Sequence, residues 1–152
     1  MSRAQYNTLI LLYRWRNEEP EYGVFWRRGG KRCQFIAGGG EDEELPRVAA
    51  IREITEETGL AVREENLLEL DSRASLPRSA FSGVDWPDDV YVIPEYTFAL
   101  YVDEARIALS HEHERFEWLK YAVARDALTW DSNRVALFEL HHRLTSRGSP
   151  AP

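Results

Sequence analysis

The 152-residue chain has a single cysteine, Cys33, so it can hold neither an internal disulfide nor a cysteine-rich metal site. That composition suits a reducing, cytoplasmic setting. It also lacks any apolar run near the ~18 residues that a membrane-spanning helix needs. The opening MSRAQYNTLILLYRWRNEE has no signal-peptide layout: its apolar run is short and leads into charged residues without a small-residue cleavage site. A buried strand is expected there instead. Positive charge is scarce as well. The net charge is −7, and no lysine occurs between Lys31 and Lys120. Such a balance argues against binding long nucleic acid, where Lys and Arg must neutralise phosphates. It leaves open small phosphorylated substrates, which can arrive with divalent cations.

Internal repeats and low-complexity segments are absent too, and the length suits one domain over residues 1–145. Residues 146–152 are expected to form a disordered tail. Strands are expected at Tyr6–Trp15 and in VFWRR, with NEEPEYG as the turn between them. LLELDSRASL and EYTFALYVD read as further strands, RIAL and FEWL as shorter ones. Pro77 to Pro94 forms a long polar loop, of a length that is usually functional or mobile. A helix should run from about Leu45 to Thr58, with Pro46 tolerated in its first turn and Gly59 capping its end. AVARDAL and SNRVALFELHHRLTS give two more helices, the latter capped by Ser132 or Asn133. Strands and helices mix without strict alternation, which predicts an α/β (α+β) fold: a mixed sheet flanked by helices.

What the chain does have in quantity is carboxylate. GGGEDEELPRVAAIREITEETGL, Gly38 to Leu60, contains seven. On a helical wheel of ~100° per residue, Glu57 lies about 40° one side of Glu53 and Glu56 about 60° the other. All three therefore project from one face, with Ala49 and Ala50 a turn earlier. Val48, Ile51, Ile54 and Thr58 fall opposite and are expected to pack on the sheet. Like charges at these spacings each cost a few tenths of a kcal/mol, and two of the glutamates sit where the helix dipole disfavours them. With no lysine nearby, a bound cation is the natural counter-charge. Hard oxygen ligands select Mg²⁺, Mn²⁺ or Ca²⁺.

The spacing is itself diagnostic. Gly38, Glu44, Arg52-Glu53-Ile54, Glu56-Glu57 and Gly59-Leu60 match GX5EX7REUXEEXGU at every defined position. Seven specified residues at fixed offsets coincide by chance on the order of once in ten million starts, so the match is specific. The sequence resembles the Nudix hydrolases, whose fold is an α/β/α sandwich around a mixed sheet. The resemblance implies hydrolysis of a nucleoside diphosphate linked to another group, with Mg²⁺ as cofactor and Mn²⁺ as a substitute. It implies Glu53, Glu56, Glu57 and the Gly38 carbonyl as metal ligands, and Glu44 with Arg52 as an ion pair pinning loop to helix.

Family members often draw a further carboxylate from a later loop, as ligand or general base. In LSHEHERFEWL, Glu112 is the first candidate and Glu114 the second. His111 and His113 form an HxH pair without an apparent third zinc ligand. Arg27 and Arg28 end a strand before the glycine loop, where they could meet substrate phosphates or pair with the acidic run. Trp86, Tyr91 and Tyr96 are candidates to stack on a ring, although buried aromatics are more often core. CQFIAGG, the spacing of Glu112 and His113 to Trp118 and Leu119, and Trp130, Ser132, Asn133 and Arg134 resemble the dihydroneopterin triphosphate pyrophosphohydrolase branch. Departures from common family usage are Glu43 in place of glycine and Ala37 in place of proline; neither removes a ligand.

The expected activity is thus Mg²⁺-dependent cleavage of a nucleoside or pterin triphosphate to monophosphate and pyrophosphate. The alternative within enzymes is a dinucleoside polyphosphate hydrolase. From another class, a nucleotide sensor of the same fold would be expected to lose a metal glutamate, and this chain keeps them all. A monomer or homodimer is expected.

Overall fold

The structure, a computed structural model, describes residues 2–103 and 106–146. Of the tail expected at 146–152, residues 147–152 lie outside the described residues. Seven strands form one mixed sheet: β1 (Arg3–Arg16), β2 (Glu19–Arg27), β3 (Cys33–Gln34), β4 (Ile36–Glu41), β5 (Leu67–Pro77), β6 (Val92–Tyr101) and β7 (His113–Lys120). The path runs β3-β2-β1-β6-β5, with β4 also pairing β1 and β7 pairing β2. The β1–β6 pair is parallel and the rest are antiparallel. Three helices flank it: α1 (Pro46–Thr58), α2 (Tyr121–Ala127) and α3 (Asp131–Thr145).

The apolar run of β1 is continuous because both of its faces are covered. Leu9, Leu11 and Tyr13 point to the α2–α3 side, with Tyr22, Val24, Leu137 and Leu140. Ile10 and Leu12 point to the α1 side, with Phe25, Ile36, Ile54 and Phe98. This is the expected α/β/α sandwich. No helix among the described residues is long and apolar enough to cross a membrane.

Several local expectations are corrected. The NEEPEYG turn shrinks to Asn17 and Glu18, whose φ values of 52° and 64° make a tight hairpin matching the strand twist. The glycine-rich stretch is no loop: Gly38 to Gly40 lie in β4, where Gly38 pairs Thr8 and Gly39 pairs Asn7. RIAL forms no strand and is held to α1 by Ala108 N–H, which donates to Thr58 O at 2.9 Å. Neither Ser132 nor Asn133 caps α3, which begins after Trp130. Asn133 is buried within the first turn, and its Oδ1 accepts from Phe35 N at 2.9 Å. The side chain thus satisfies a strand backbone group at the β3–β4 bend.

Helix α1 buries Ile54 and Thr58 and packs Ile51 on the core as expected, but Val48 is half exposed, and Ala49, Ala50 and Glu57 are buried as well. The reason is steric. Alanines on the helix and glycines on β4 let backbones approach closely, so the helix lays its alanine side, rather than its valine side, on the sheet.

Candidate active site

Close approach is visible at Gly38, where an added Cβ would sit 2.1 Å from Glu53 Cδ. The Gly38 carbonyl accepts from Thr8 Oγ1 at 2.8 Å, which fixes its direction. The three box glutamates do not share one solvated face. Glu57 is buried, the Glu53 side chain is 12% exposed and that of Glu56 is 54% exposed. They descend from the sheet contact into solvent, as a site at the edge of a packed helix should.

Arg52 organises this end of α1. Its Nε and Nη2 donate to the two oxygens of Glu44, Nη2 also reaches Gly39 O at 2.9 Å, and Nη1 lies 3.1 Å from Glu53 and 3.2 Å from Glu56. Glu44 Oε1 in turn accepts from Glu41 N, and its backbone carbonyl from Tyr6 Oη. Burial pushes the Glu53 carboxyl up to about 7, against the pull of Arg52 and with help from Glu56 and Glu57.

Glu57 meets a second group of partners. Its Oε2 accepts from Ser110 Oγ at 2.9 Å and lies 2.9 Å from His113 Nδ1. Glu112 reaches the same carboxyl. Two carboxyls in contact cannot both ionise freely, so their affinities for protons part. Burial would raise Glu57, but hydrogen bonds from His113, Glu112 and Ser110 outweigh it and hold it low. The Glu57 contact, then burial, pushes Glu112 up. Glu114 is exposed on β7. The histidine pair separates: His113 is buried against Phe25, while His111 is exposed. Among the described residues no three His, Cys, Asp or Glu side chains meet as a preformed metal cluster, the glutamates being shared out between Arg52 and His113. The donor set nevertheless suits a hard cation: carboxylate and carbonyl oxygens around Gly38, with no thiolate.

The two candidate phosphate-binding arginines also differ. Arg28 is committed to scaffolding, its N–H donating to Glu112 O at 2.9 Å and its Nε to His111 O at 2.7 Å. Arg27 lines a cavity of about 750 Å³, together with Gly38, Gln34, Leu9, Phe81 and Trp130. A volume of that order suits a small organic ligand. Of the three candidate stacking aromatics, none lines it. Trp86 is buried with Nε1 donating to Arg3 O, Tyr91 is exposed, and Tyr96 packs edge-on to Tyr6. The aromatic lining comes from Phe81 and Trp130.

Asn7 and Glu95, also in the lining, escaped the sequence reading. Their signal was present: Glu95 falls at the same alternation as Thr97 and Ala99, facing the α3 side, where a charge is out of place.

The NUDIX domain family profile matches residues 3–140 of the chain. A Listeria monocytogenes protein described as a NUDIX hydrolase is 36% identical, with a TM-score of 0.84 covering 98% of this chain and 100% of that one. The Escherichia coli dihydroneopterin triphosphate pyrophosphohydrolase shares the fold at 23% identity and a TM-score of 0.75, over 93% of this chain and 97% of its own. A Caenorhabditis elegans Ap4A hydrolase does so at 18% and 0.65, over 90% and 95%. An octanoyltransferase of Myxococcus xanthus is 36% identical over 127 residues, which is 82% of this chain but 30% of that protein. The chain therefore spans less than a third of that curated relative. Motif, sandwich and profile converge, and the chain belongs to the Nudix family.

Proposed function

We propose that this enzyme cleaves a nucleoside or pterin triphosphate to the monophosphate and pyrophosphate, with Mg²⁺, in the cytoplasm. The observation that carries the reading is the cavity of about 750 Å³ that shares Gly38 and Arg27 with the carboxylate-rich end of α1. One ring-sized space thus adjoins one metal-type donor set. The Gly38 carbonyl with Glu53, Glu56, Glu57 and Glu112 would hold the cation. When bound, it neutralises phosphate oxygens and acidifies water, the two obstacles to hydrolysing a shielded anhydride.

The chain's own groups have separate tasks. Arg27 faces the phosphates, Arg52 fixes the loop against the helix, and Arg28 holds the turn that carries Glu112. Glu112 is the group to take the proton from the attacking water, because it is exposed on the turn before β7 and touches Glu57. Positioning and electrostatics then supply most of the rate. The likeness to the octanoyltransferase adds no acyl-transfer reading, since it covers only a fraction of that protein.

The test is a Mg²⁺-dependent panel of dihydroneopterin triphosphate, the four dNTPs, ADP-ribose and diadenosine polyphosphates, with products identified. Monophosphate plus pyrophosphate from a triphosphate is the expected result. Turnover confined to diadenosine polyphosphates would replace this reading with the dinucleoside one.

A further inference from the structure

Glu95 is 4% exposed, yet lines the cavity on β6. Asn7 stands beside it in register on β1 and donates Nδ2 to Glu95 Oε2 at 2.7 Å. Asn7 is itself oriented, because its Oδ1 accepts from Arg3 Nη2 at 2.9 Å. The chain Arg3–Asn7–Glu95 thus assigns one carboxylate oxygen and both ends of the amide. Glu95 Oε1 is buried with no hydrogen-bond partner among the described residues.

An orphaned carboxylate oxygen at the heart of a sheet is unfavourable for folding, and a leucine there would pack without the penalty. Burial accordingly pushes the Glu95 carboxyl up, opposed by the Asn7 hydrogen bond. The arrangement becomes favourable when a cavity occupant supplies N–H donors to the free oxygen. The lining around it is partly apolar and aromatic, with Leu9, Leu76, Phe81 and Trp130, and Arg3 lies 4.9 Å over the Phe81 ring. That setting favours a flat ring.

Among flat rings, a carboxylate selects by edge. A 2-amino-4-oxopyrimidine edge, as in guanine and pterins, places a ring N–H beside an amino group, so both neighbours donate. An adenine or cytosine edge places a ring nitrogen lone pair beside the amino group, and that lone pair would oppose the carboxylate. We propose that Glu95, held by Asn7, is the specificity-determining group that recognises a substrate ring bearing a 2-amino-4-oxopyrimidine edge. This rests on the triphosphate-hydrolase reading above and narrows its substrate class.

The test compares kcat/KM for dGTP and dATP, which carry the same triphosphate, in wild type and Glu95→Gln with Mg²⁺. Wild type should favour dGTP, and the substitution should shrink the dGTP:dATP ratio about 10- to 100-fold. An unchanged ratio overturns the proposal. Should Glu95→Gln fail to fold, calorimetric titration of the wild-type protein with guanosine, neopterin and adenosine decides instead. Guanosine and neopterin should bind at least about tenfold more tightly than adenosine; equal binding overturns the proposal. These ligands contain no anhydride, so the two readings fail separately. Preference for guanosine without triphosphate cleavage refutes the hydrolase substrate and retains Glu95 recognition. Cleavage of dGTP and dATP with equal kcat/KM refutes Glu95 recognition and retains the hydrolase.

Discussion

Arg52 clasps Glu44 at two points, Nε to Oε2 at 3.0 Å and Nη2 to Oε1 at 2.9 Å. A planar guanidinium matches a carboxylate in this way, whereas a lysine ammonium offers a point charge. The same guanidinium also reaches Gly39 O, Glu53 and Glu56, so it joins β4, the following turn and α1.

Arg52→Lys is therefore expected to lose about 1–3 kcal/mol of stability, the scale of hydrogen bonds to a charged group. Urea unfolding of the two proteins measures it. Arg52→Gln should lose more, since it leaves Glu44, Glu53 and Glu56 without their shared cation. Coincident midpoints for wild type and Arg52→Lys would show that the fork is dispensable.

Gly38→Ala should damage the site locally. The new methyl would fall 2.1 Å from Glu53 Cδ, so that carboxylate must move away. Turnover should drop on the order of 10²- to 10³-fold, the scale of losing one positioned charge-stabilising group. The accompanying overpacking should cost about 1–3 kcal/mol. Steady-state kinetics with Mg²⁺ and a thermal melt give both numbers; wild-type turnover would show that Glu53 need not stay where it is.

Asn133 and Ser132 separate two accounts of the start of α3. If a side chain capped the helix, Ser132→Ala would cost about 1 kcal/mol. Instead Asn133 Oδ1 accepts from the buried Phe35 N–H, so Asn133→Ala should cost about 1–3 kcal/mol and Ser132→Ala less than about 0.5. Denaturant midpoints of the two variants rank them directly, and the reverse order would restore the capping account.

Cys33 carries a pH dependence. Burial pushes its thiol from 9.0 up to about 11. Below pH 9 the thiol is protonated in both folded and unfolded chains and contributes nothing. Between pH 9 and 11 the unfolded chain releases the proton while the folded chain keeps it, so stability falls as pH rises. Relative to Cys33→Ala, the wild type should lose about 2–3 kcal/mol across that window. Urea titrations of both proteins at pH 8.5 and 11 check it. A native chain that reacted rapidly with a thiol reagent at pH 8 would contradict the burial.

Some of the site was legible because its chemistry needs fixed helical offsets. Glu53, Glu56 and Glu57 are spaced by one helical turn, and Glu44 and Arg52 by the length of the intervening loop and first turns, so one-dimensional spacing carries the three-dimensional relation. Glu112 was legible as a candidate, but not its contact with Glu57, which joins a turn before β7 to α1. Asn133 misled because Asn near a helix start is a general capping signal. Its actual partner, Phe35 N–H, lies 98 positions away in the sequence.

By itself the sequence determined the mixed sheet flanked by helices, the carboxylate helix and the family box, since hydrophobic periodicity and box spacing are local properties. Tertiary structure alone decided which carboxylates are buried, how α1 rolls onto β4, and that Glu95 and Asn7 meet inside a cavity. Those outcomes depend on how closely two backbones approach and which strands become neighbours. Gly38 against Glu53 and the parallel β1–β6 pairing settle them, and neither contact has a counterpart in sequence distance.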